Sequence, residues 1–422
     1  MSIGKIRYMK KQSNTPEIRF QNYEDKWDIE KLINIFGTIR NAFVGTATPY
    51  YVEEGKFYLE SNNVKNGKIN YNSQIFINDE FYEKQRDKWL KTNDIVMVQS
   101  GHVGHTAVIP EELNNTAAHA LIVFTDYKKE VNPHFLNYQF QSNGKRKELD
   151  LISTGNTIKH ILASEMKDFK MDFPTFEEQT AVGSLFRTLD DLLSSYKDNL
   201  TNYQYLKATM LSKMFPKAGQ TVPEIRLDGF DGEWEINKLN KYLTVSKKKN
   251  TKQQFDKEDV LSVSGEVGIV NQIKFQGRSF AGVSVEMYSI AETGNIVYTK
   301  SPLKANPYGI IKTNYGIPGI VSTLYAVYLP KENVFPGFVE RYFENDLRLN
   351  SYLKPLVNKG AKNDMKVSDE NALLGNVIFP KLEEQVAISD YFTNLDKFIQ
   401  SHTDKISQLE TLKKKLLQDM FI

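Results

Sequence analysis

The chain repeats itself, and that constrains its fold more than any other feature. Pro16-Glu17-Ile18-Arg19-Phe20 returns as Pro223-Glu224-Ile225-Arg226-Leu227. The match runs ungapped through Trp27/Trp234, Ile29/Ile236, Lys31/Lys238 and Leu32/Leu239, with eight of seventeen positions identical at an offset of 207. A second match pairs Phe173-Pro174-Thr175-Phe176-Glu177-Glu178-Gln179 with Phe379-Pro380-Lys381-Leu382-Glu383-Glu384-Gln385. It continues to Met214-Phe215 and Met420-Phe421, sixteen identities in forty-four positions at an offset of 206. Whatever one half folds into, the other must also be able to form. Between these matches the halves have similar length but different sequence, apart from one echo: Thr92-Asn93-Asp94-Ile95-Val96 against Thr293-Gly294-Asn295-Ile296-Val297. Each half therefore reads as a variable domain followed by a constant segment.

The constant segments predict long helices. Residues Glu177 to Phe215 hold no proline and one glycine, Gly183; Glu383 to Phe421 hold neither. Apolar residues recur in steps of three and four: Val182, Phe186, Leu189, Leu193, Tyr196, Leu200, Tyr203, Met210 and Met214 in the first. Ile388, Phe392, Leu395, Ile399, Ile406, Leu409, Leu416 and Met420 follow in the second. This is the seam of a coiled coil, interrupted by Lys207, His402 and Lys413, polar positions that can set register. A helix of this length is about 58 Å long at about 1.5 Å per residue. With both helices in one chain, pairing within the chain is favoured over dimerisation. Leu185, Leu192 and Leu206, with Tyr391, Phe398 and Leu412, widen the apolar stripe and are the expected partner-binding residues. Pro174 and Pro380 end the preceding domains, and paired glutamates open each helix where carboxylates suit the dipole.

The variable segments mix strand and turn signals, so the fold class expected is α+β. Asp94 to Gln99, His119 to Phe124, Asn295 to Thr299 and Thr323 to Leu329 are strand candidates. Asn66-Gly67, Ser100-Gly101, Asn143-Gly144 and Thr154-Gly155-Asn156 are turn signals. Short helices are expected near Asp79 to Leu90 and Phe338 to Leu353.

Composition narrows the chemistry. At 422 residues the chain has room for two to three domains. It has no cysteine, which removes disulfides, thiol catalysis and Cys-ligated zinc and suits the cytoplasm. Met1 to Gln12 is basic with no apolar stretch after it, which argues against a secretory signal. No internal run predicts a membrane span. The net charge of +2 does not announce nucleic acid, but Asn240 to Lys312 carries eleven Lys/Arg against six Asp/Glu. His102-Val103-Gly104-His105 lacks a third metal ligand. Asn306-Pro307-Tyr308 reads as a turn; a methyltransferase would show a second proline and a glycine-rich cofactor loop. No Gly-Lys-Ser or Gly-Lys-Thr supplies a P-loop, and no nucleophile triad stands out.

The duplicated Pro-Glu-Ile-Arg entry with its tryptophan, the Phe-Pro-x-x-Glu-Glu-Gln helix starts and the variable–constant alternation resemble the specificity subunit of type I restriction–modification systems. The resemblance covers essentially everything after Asn14. It implies two α/β target recognition domains separated by two long antiparallel coiled-coil helices in an internal pseudo-two-fold repeat. It implies a tail at 1–13, recognition domains at 14–172 and 221–378, helices at 173–216 and 379–422, and a linker at 217–220. It further implies a non-catalytic subunit in which each domain reads one half of a split, asymmetric DNA site. The helices would set the half-site spacing and dock two modification subunits that methylate adenine N6, with two restriction or translocase subunits as further partners. S-adenosylmethionine, ATP and Mg2+ would enter only through those partners, and this chain would bind no cofactor and no metal.

Loops bearing cations or amides are the candidate DNA readers. In the first domain these are Arg40, Lys65, Lys68, Gln99, His102, His105, Asn156 and Lys159. In the second they are Lys300, Lys304, Tyr308, Lys312, Lys359, Lys362 and Asn363. For any single one, an ordinary exposed loop side chain is the simpler reading. Two other functions compete: a coiled-coil protein adaptor, which would lack salt-dependent DNA affinity, and a degenerate DNA methyltransferase, which would bind cofactor by itself.

Overall fold

Each proline-free repeat folds into a single helix. In the computed structural model, which describes residues 6–8, 14–155, 159–282, 284–359 and 365–422, helix α1 spans Phe176–Lys213 and helix α2 spans Leu382–Asp419. Each is 38 residues long. The chain divides into two units, 1–197 with 404–422, and 198–403. The boundary falls inside both helices. Each unit thus combines the body of one repeat with a stretch of helix from the other.

In the first unit an antiparallel four-stranded sheet runs in the order Thr106–Val108, Ile95–Val98, Leu121–Tyr127, Phe36–Asn41. The strand Ile95–Val98 is wholly buried, so it reads as an unbroken apolar run rather than an alternation. The insert after Phe36–Asn41 builds a second sheet, ordered Ala117–Ala118, Lys56–Leu59, Ile75–Ile77, Tyr51–Val52. Its hairpin Val64–Lys65/Lys68–Ile69 turns at Asn66-Gly67, both with positive φ, as a two-residue hairpin turn requires. Helices Pro133–Gln141 and Asn143–Ile152 follow the sheet. Asp28–Lys31 then pairs with Lys170–Phe173, bringing the domain's entry beside its exit into α1.

The second unit repeats the frame with other contents. Its sheet runs Ile311–Thr313, Ile296–Thr299, Tyr325–Pro330, Leu243–Val245, the same sequence-order pattern. Helices Pro336–Phe343 and Asp346–Leu353 follow, and Glu235–Lys238 closes against Asn376–Phe379. The insert is different: the strand pairs Leu261–Ser264/Gly268–Asn271 and Ser289–Ala291/Gly319–Val321 replace the second sheet.

The repeated motifs are joints. Arg19 donates two 2.7 Å hydrogen bonds to Glu178, with both side chains buried, and the Trp27 indole N–H adds a third at 3.2 Å. Arg226 grips Glu384 in the same way, at 2.8 and 2.7 Å. The glutamine that follows satisfies two backbone groups in each unit. Gln179 donates to the Pro174 carbonyl and accepts from Asn132 N–H; Gln385 donates to the Pro380 carbonyl and accepts from Phe335 N–H. The repeated Met-Phe ends close the cores from the other repeat's helix. Phe421 packs on Trp27, Phe135 and Phe186, and Phe215 on Trp234, Phe338 and Phe392.

Within each unit the two helices run antiparallel. In the first, Asp190 pairs with Lys413 at 2.6 Å and Lys197 with Glu410 at 2.6 Å, so one number rises as the other falls. In the second, Lys207 pairs with Asp396 at 2.7 Å, and Tyr203 stacks on Phe398 and meets His402 edge-on. The polar interruptions of the seam are therefore partnered, and a partnered charge fixes register because a slip would strand it.

Several sequence expectations shift. The expected strands appear within three residues at each end. Asn143-Gly144 is no turn: Ser142 caps the helix Asn143–Ile152, and Gly144 is small because a Cβ there would lie 2.9 Å from the Ile422 carbonyl oxygen. The helix expected at Asp79 to Leu90 is one short turn, Asp79–Glu83, and Phe338 to Leu353 is broken into two helices at the Asn345 cap. Gly183 makes room for the neighbouring short helix, since a Cβ would meet Asn132 Oδ1 at 2.8 Å. In the second repeat the long helix carries Ser389, and the small residue is Gly337 on the short helix, whose Cβ would meet Ser389 Oγ at 2.4 Å.

Candidate nucleic-acid interface

At one end of the first unit's sheet, two loops and a hairpin gather six of the eight readers predicted for that domain. The loop joining Ile95–Val98 to Thr106–Val108 presents Gln99, His102 and His105. Beside it, Ser100 bridges His160, and Gly101 N–H donates to the Lys159 carbonyl at 3.1 Å, so the loop carrying Lys159 lies alongside. The hairpin brings Lys65 and Lys68 directly opposite each other. Like charges at facing positions are destabilising, which suits a surface selected to meet anions.

The hairpin is held by buried polar bonds. Asn137 donates to the Gly67 carbonyl at 2.9 Å and accepts from the Thr106 hydroxyl at 2.8 Å. Asn66 N–H donates to His105 Nδ1 at 3.1 Å. Burial, reinforced by Arg146, His102 and Lys65, pushes His105 down to about 4. It is neutral at neutral pH, and with Nδ1 accepting, its Nε2–H is left as a donor. His102 lies 6.1 Å from it, ring to ring. Among the described residues no group of three or more potential ligands could hold a metal.

Other predicted positions fall elsewhere. Arg40 lies on the strand Phe36–Asn41, where it donates to the carbonyls of Lys88 and Trp89 amid Asp94, Asp87 and Asp126. Its guanidinium is thus engaged with the chain's own backbone. Lys159 is exposed but paired with Asp150 at 3.0 Å. Asn156 lies outside the described residues. One residue that the sequence reading missed belongs to the cluster: Arg146, hidden by taking Asn143-Gly144 for a turn. Its visible signal was Ser142, a helix-capping residue three positions before Lys145.

The second unit builds the equivalent end from the loop 300–310 and the hairpin Asn358–Lys359/Met365–Lys366. Lys304 is exposed there, and Lys300 pairs with Asp369 at 2.9 Å. Tyr308 is half-buried, its carbonyl accepting from the Tyr298 hydroxyl. Asn306 is buried and donates to Asp346 at 2.8 Å, so Asn306-Pro307-Tyr308 is a structural turn. Lys312 lies on the buried strand Ile311–Thr313 in an ion pair with Glu340 at 3.3 Å and is withdrawn from the surface. Lys359 lies on the hairpin; Lys362 and Asn363 lie outside the described residues.

The expected docking stripe divides. Leu192, Phe398 and Leu412 are exposed, and Leu206 and Tyr391 half-buried. Leu185 is buried in the first unit's core.

The family model described as type I restriction modification DNA specificity domain matches residues 49–202, which is the first repeat's variable body and the start of α1. Over 96% of its length the chain is 21% identical to the type I restriction enzyme MjaX specificity subunit of Methanocaldococcus jannaschii, covering 95% of that protein. The chain is thus similar to type I specificity subunits along almost its whole length. Half of it is 22% identical to 47% of the EcoBI specificity subunit of Escherichia coli. A crystal structure of the type I restriction–modification S subunit from M. genitalium shares the fold, with a TM-score of 0.59 at 14% identity, 97% of this chain and 99% of that one being covered. The MjaX and EcoBI relatives are both named specificity subunits. The internal duplication carries the arginine–glutamate and glutamine joints into the second repeat, although the Trp234 indole N–H, unlike that of Trp27, makes no hydrogen bond among the described residues.

Proposed function

We propose that each unit reads one half of a split DNA site, and that the exposed apolar residues of the long helices dock adenine-N6 methyltransferase subunits. The observation that carries this reading is the shared frame with two different sets of loops at equivalent sheet ends. A frame that keeps its joints and changes its loops suits two related tasks on two targets. In the first unit, Lys65 and Lys68 hold phosphates, while Gln99 and the Nε2–H of His105 reach base edges. In the second, Lys304 and the hairpin carrying Lys359 take the corresponding roles. S-adenosylmethionine, ATP and Mg2+ are supplied by partner subunits, with restriction or translocase subunits joining the same complex in the cytoplasm. No helix among the described residues is long and apolar enough to cross a membrane.

The test is to co-express the chain with its modification subunit and sequence host DNA for N6-methyladenine. One split motif, appearing only when both proteins are present, is the expected result. Methylation by the chain alone would make it an enzyme. No methylation with a partner shown to bind would favour a protein adaptor.

A further inference from the structure

A basic cleft opens in the first unit. It lies between the hairpin Val64–Lys65/Lys68–Ile69, the helix Asn143–Ile152 and this unit's stretches of α1 and α2, with a volume of about 520 Å³. Its wall carries five lysine or arginine side chains against two carboxylates, leaving +3. The carboxylates are already engaged, Glu410 with Lys197 and Asp190 with Lys413 and Lys68. Arg146 and Lys414 have no carboxylate within ion-pairing distance among the described residues. Asn66, in the cleft's wall, donates its N–H to His105 Nδ1 at 3.1 Å, so the cleft adjoins the candidate reading loops.

The second unit shows what this position looks like when it is closed. Lys207 and Asp396 stand where Lys413 and Asp190 stand in the first, 206 residues away in each case. Gln141, directly before the cap residue Ser142, has its counterpart in Glu344, directly before the cap residue Asn345. Glu344 accepts from Lys207 at 2.6 Å and from Arg341 at 2.8 Å, and Arg341 reaches Asp396 at 2.6 Å. Four charges thus cancel in a closed ring. In the first unit Tyr138 and Gln141 stand where Arg341 and Glu344 stand, Tyr138 donating to Asp190 at 2.8 Å, and the positive excess comes from Lys68, Arg146 and Lys414, which stay open to solvent.

We propose that this cleft is a sequence-independent phosphate site, gripping the DNA backbone beside the half-site that the first unit reads, so that the two units hold DNA unequally. The assignment rests on the DNA-reading function proposed above. Arg146, Lys68 and Lys414 bind the phosphates; Lys413 and Asp190 position the cleft by locking the helices together. DNA is favoured over an acidic protein segment because the cleft adjoins loops that would already face the duplex.

The test uses the full chain in complex with its modification subunits. DNA affinity is measured against salt concentration on a target duplex and a scrambled one. Arg146→Gln with Lys414→Gln is expected to weaken both duplexes by the same factor. It should also reduce the slope of log affinity against log salt by about 0.9 for each phosphate that is no longer neutralised. The methylated motif stays the same. Gln141→Glu, which imports the second unit's carboxylate at a half-exposed position, should act in the same direction. Unchanged affinity and slope in both variants would overturn the cleft while leaving the reading function intact. Loss of modification-subunit binding with an unchanged DNA slope would overturn it in favour of an acidic partner surface. If the parent complex itself bound DNA without salt dependence, both the cleft and the function beneath it would fall.

Discussion

Arg19 and Glu178 show how a single residue pair ties a domain to a helix. Removing one partner of a buried ion pair leaves the other charge uncompensated, so Arg19→Ala should destabilise the first unit by about 3–5 kcal/mol. Arg226 is more exposed than Arg19, at 15% against 3%, and Arg226→Ala should cost less. Hydrogen exchange along the chain checks both, with protection falling around Ile18–Phe20 in the first case and around residues 223–227 in the second. Equal losses would contradict the burial argument. Histidines give the molecule an acid sensitivity. His105 and His134 are both pushed down to about 4, chiefly by burial, from an ordinary value near 6.5. Between those values the unfolded chain binds more protons than the folded one, so stability falls as pH drops from about 6.5 towards 4. His119, held up by its bond to Glu60, acts in the opposite sense. A His105→Gln, His134→Gln double variant should therefore show a flatter dependence of melting temperature on pH over that window, and an unchanged dependence would sink the assignment. The joint residues were legible because they recur; Arg146 was not, because an Asn-Gly pair is a turn signal unless a cap such as Ser142 and a close neighbour such as the Ile422 carbonyl override it.

At the scale of elements, helices and strands follow from pattern where one face is buried throughout. The long helices were legible from spacing alone, and Lys207 and Lys413 could be flagged as register devices before their partners were known. What spacing could not supply was which helix turn faces which: Asp190 and Asp396 are merely polar helix residues until the antiparallel pairing places them. Reversing both charges of the first pair, Asp190→Lys with Lys413→Asp, should recover part of the stability that either change alone removes. Thermal unfolding of the three variants measures this coupling, and simple additivity would argue that the pair does not set register. The hairpin offers a sharper case. Gly67 has φ of +82°, and its carbonyl is held by Asn137. Gly67→Ala should cost at least about 1 kcal/mol from the backbone conformation alone. It should also weaken DNA binding, since it displaces Lys65 and Lys68. Retained affinity in a destabilised variant would remove the hairpin from the interface. Buried Lys312 and half-buried Arg40 mark the limit of reading loops from sequence, because a cation in a strand can be committed to Glu340 or to backbone carbonyls without any local sign.

For the whole molecule, duplication is the property from which the rest follows. The same joints, the same sheet order and the same strand closure recur, while the inserts between Phe36–Asn41 and Ile95–Val98, and between Leu243–Val245 and Ile296–Thr299, form differently ordered strand pairings among the described residues. The frame was legible because both copies must preserve it. The candidate reading loops were legible only as a region, since side chains on a loop obey no internal periodicity. The most direct measurement is methylation mapping after exchanging residues 14–172 for the corresponding segment of a relative with a different target, co-expressed with the same modification subunit. One half of the methylated motif should change while the other half stays as it was. A motif that changed in both halves, or in neither, would contradict a molecule in which each repeat reads its own part of the site.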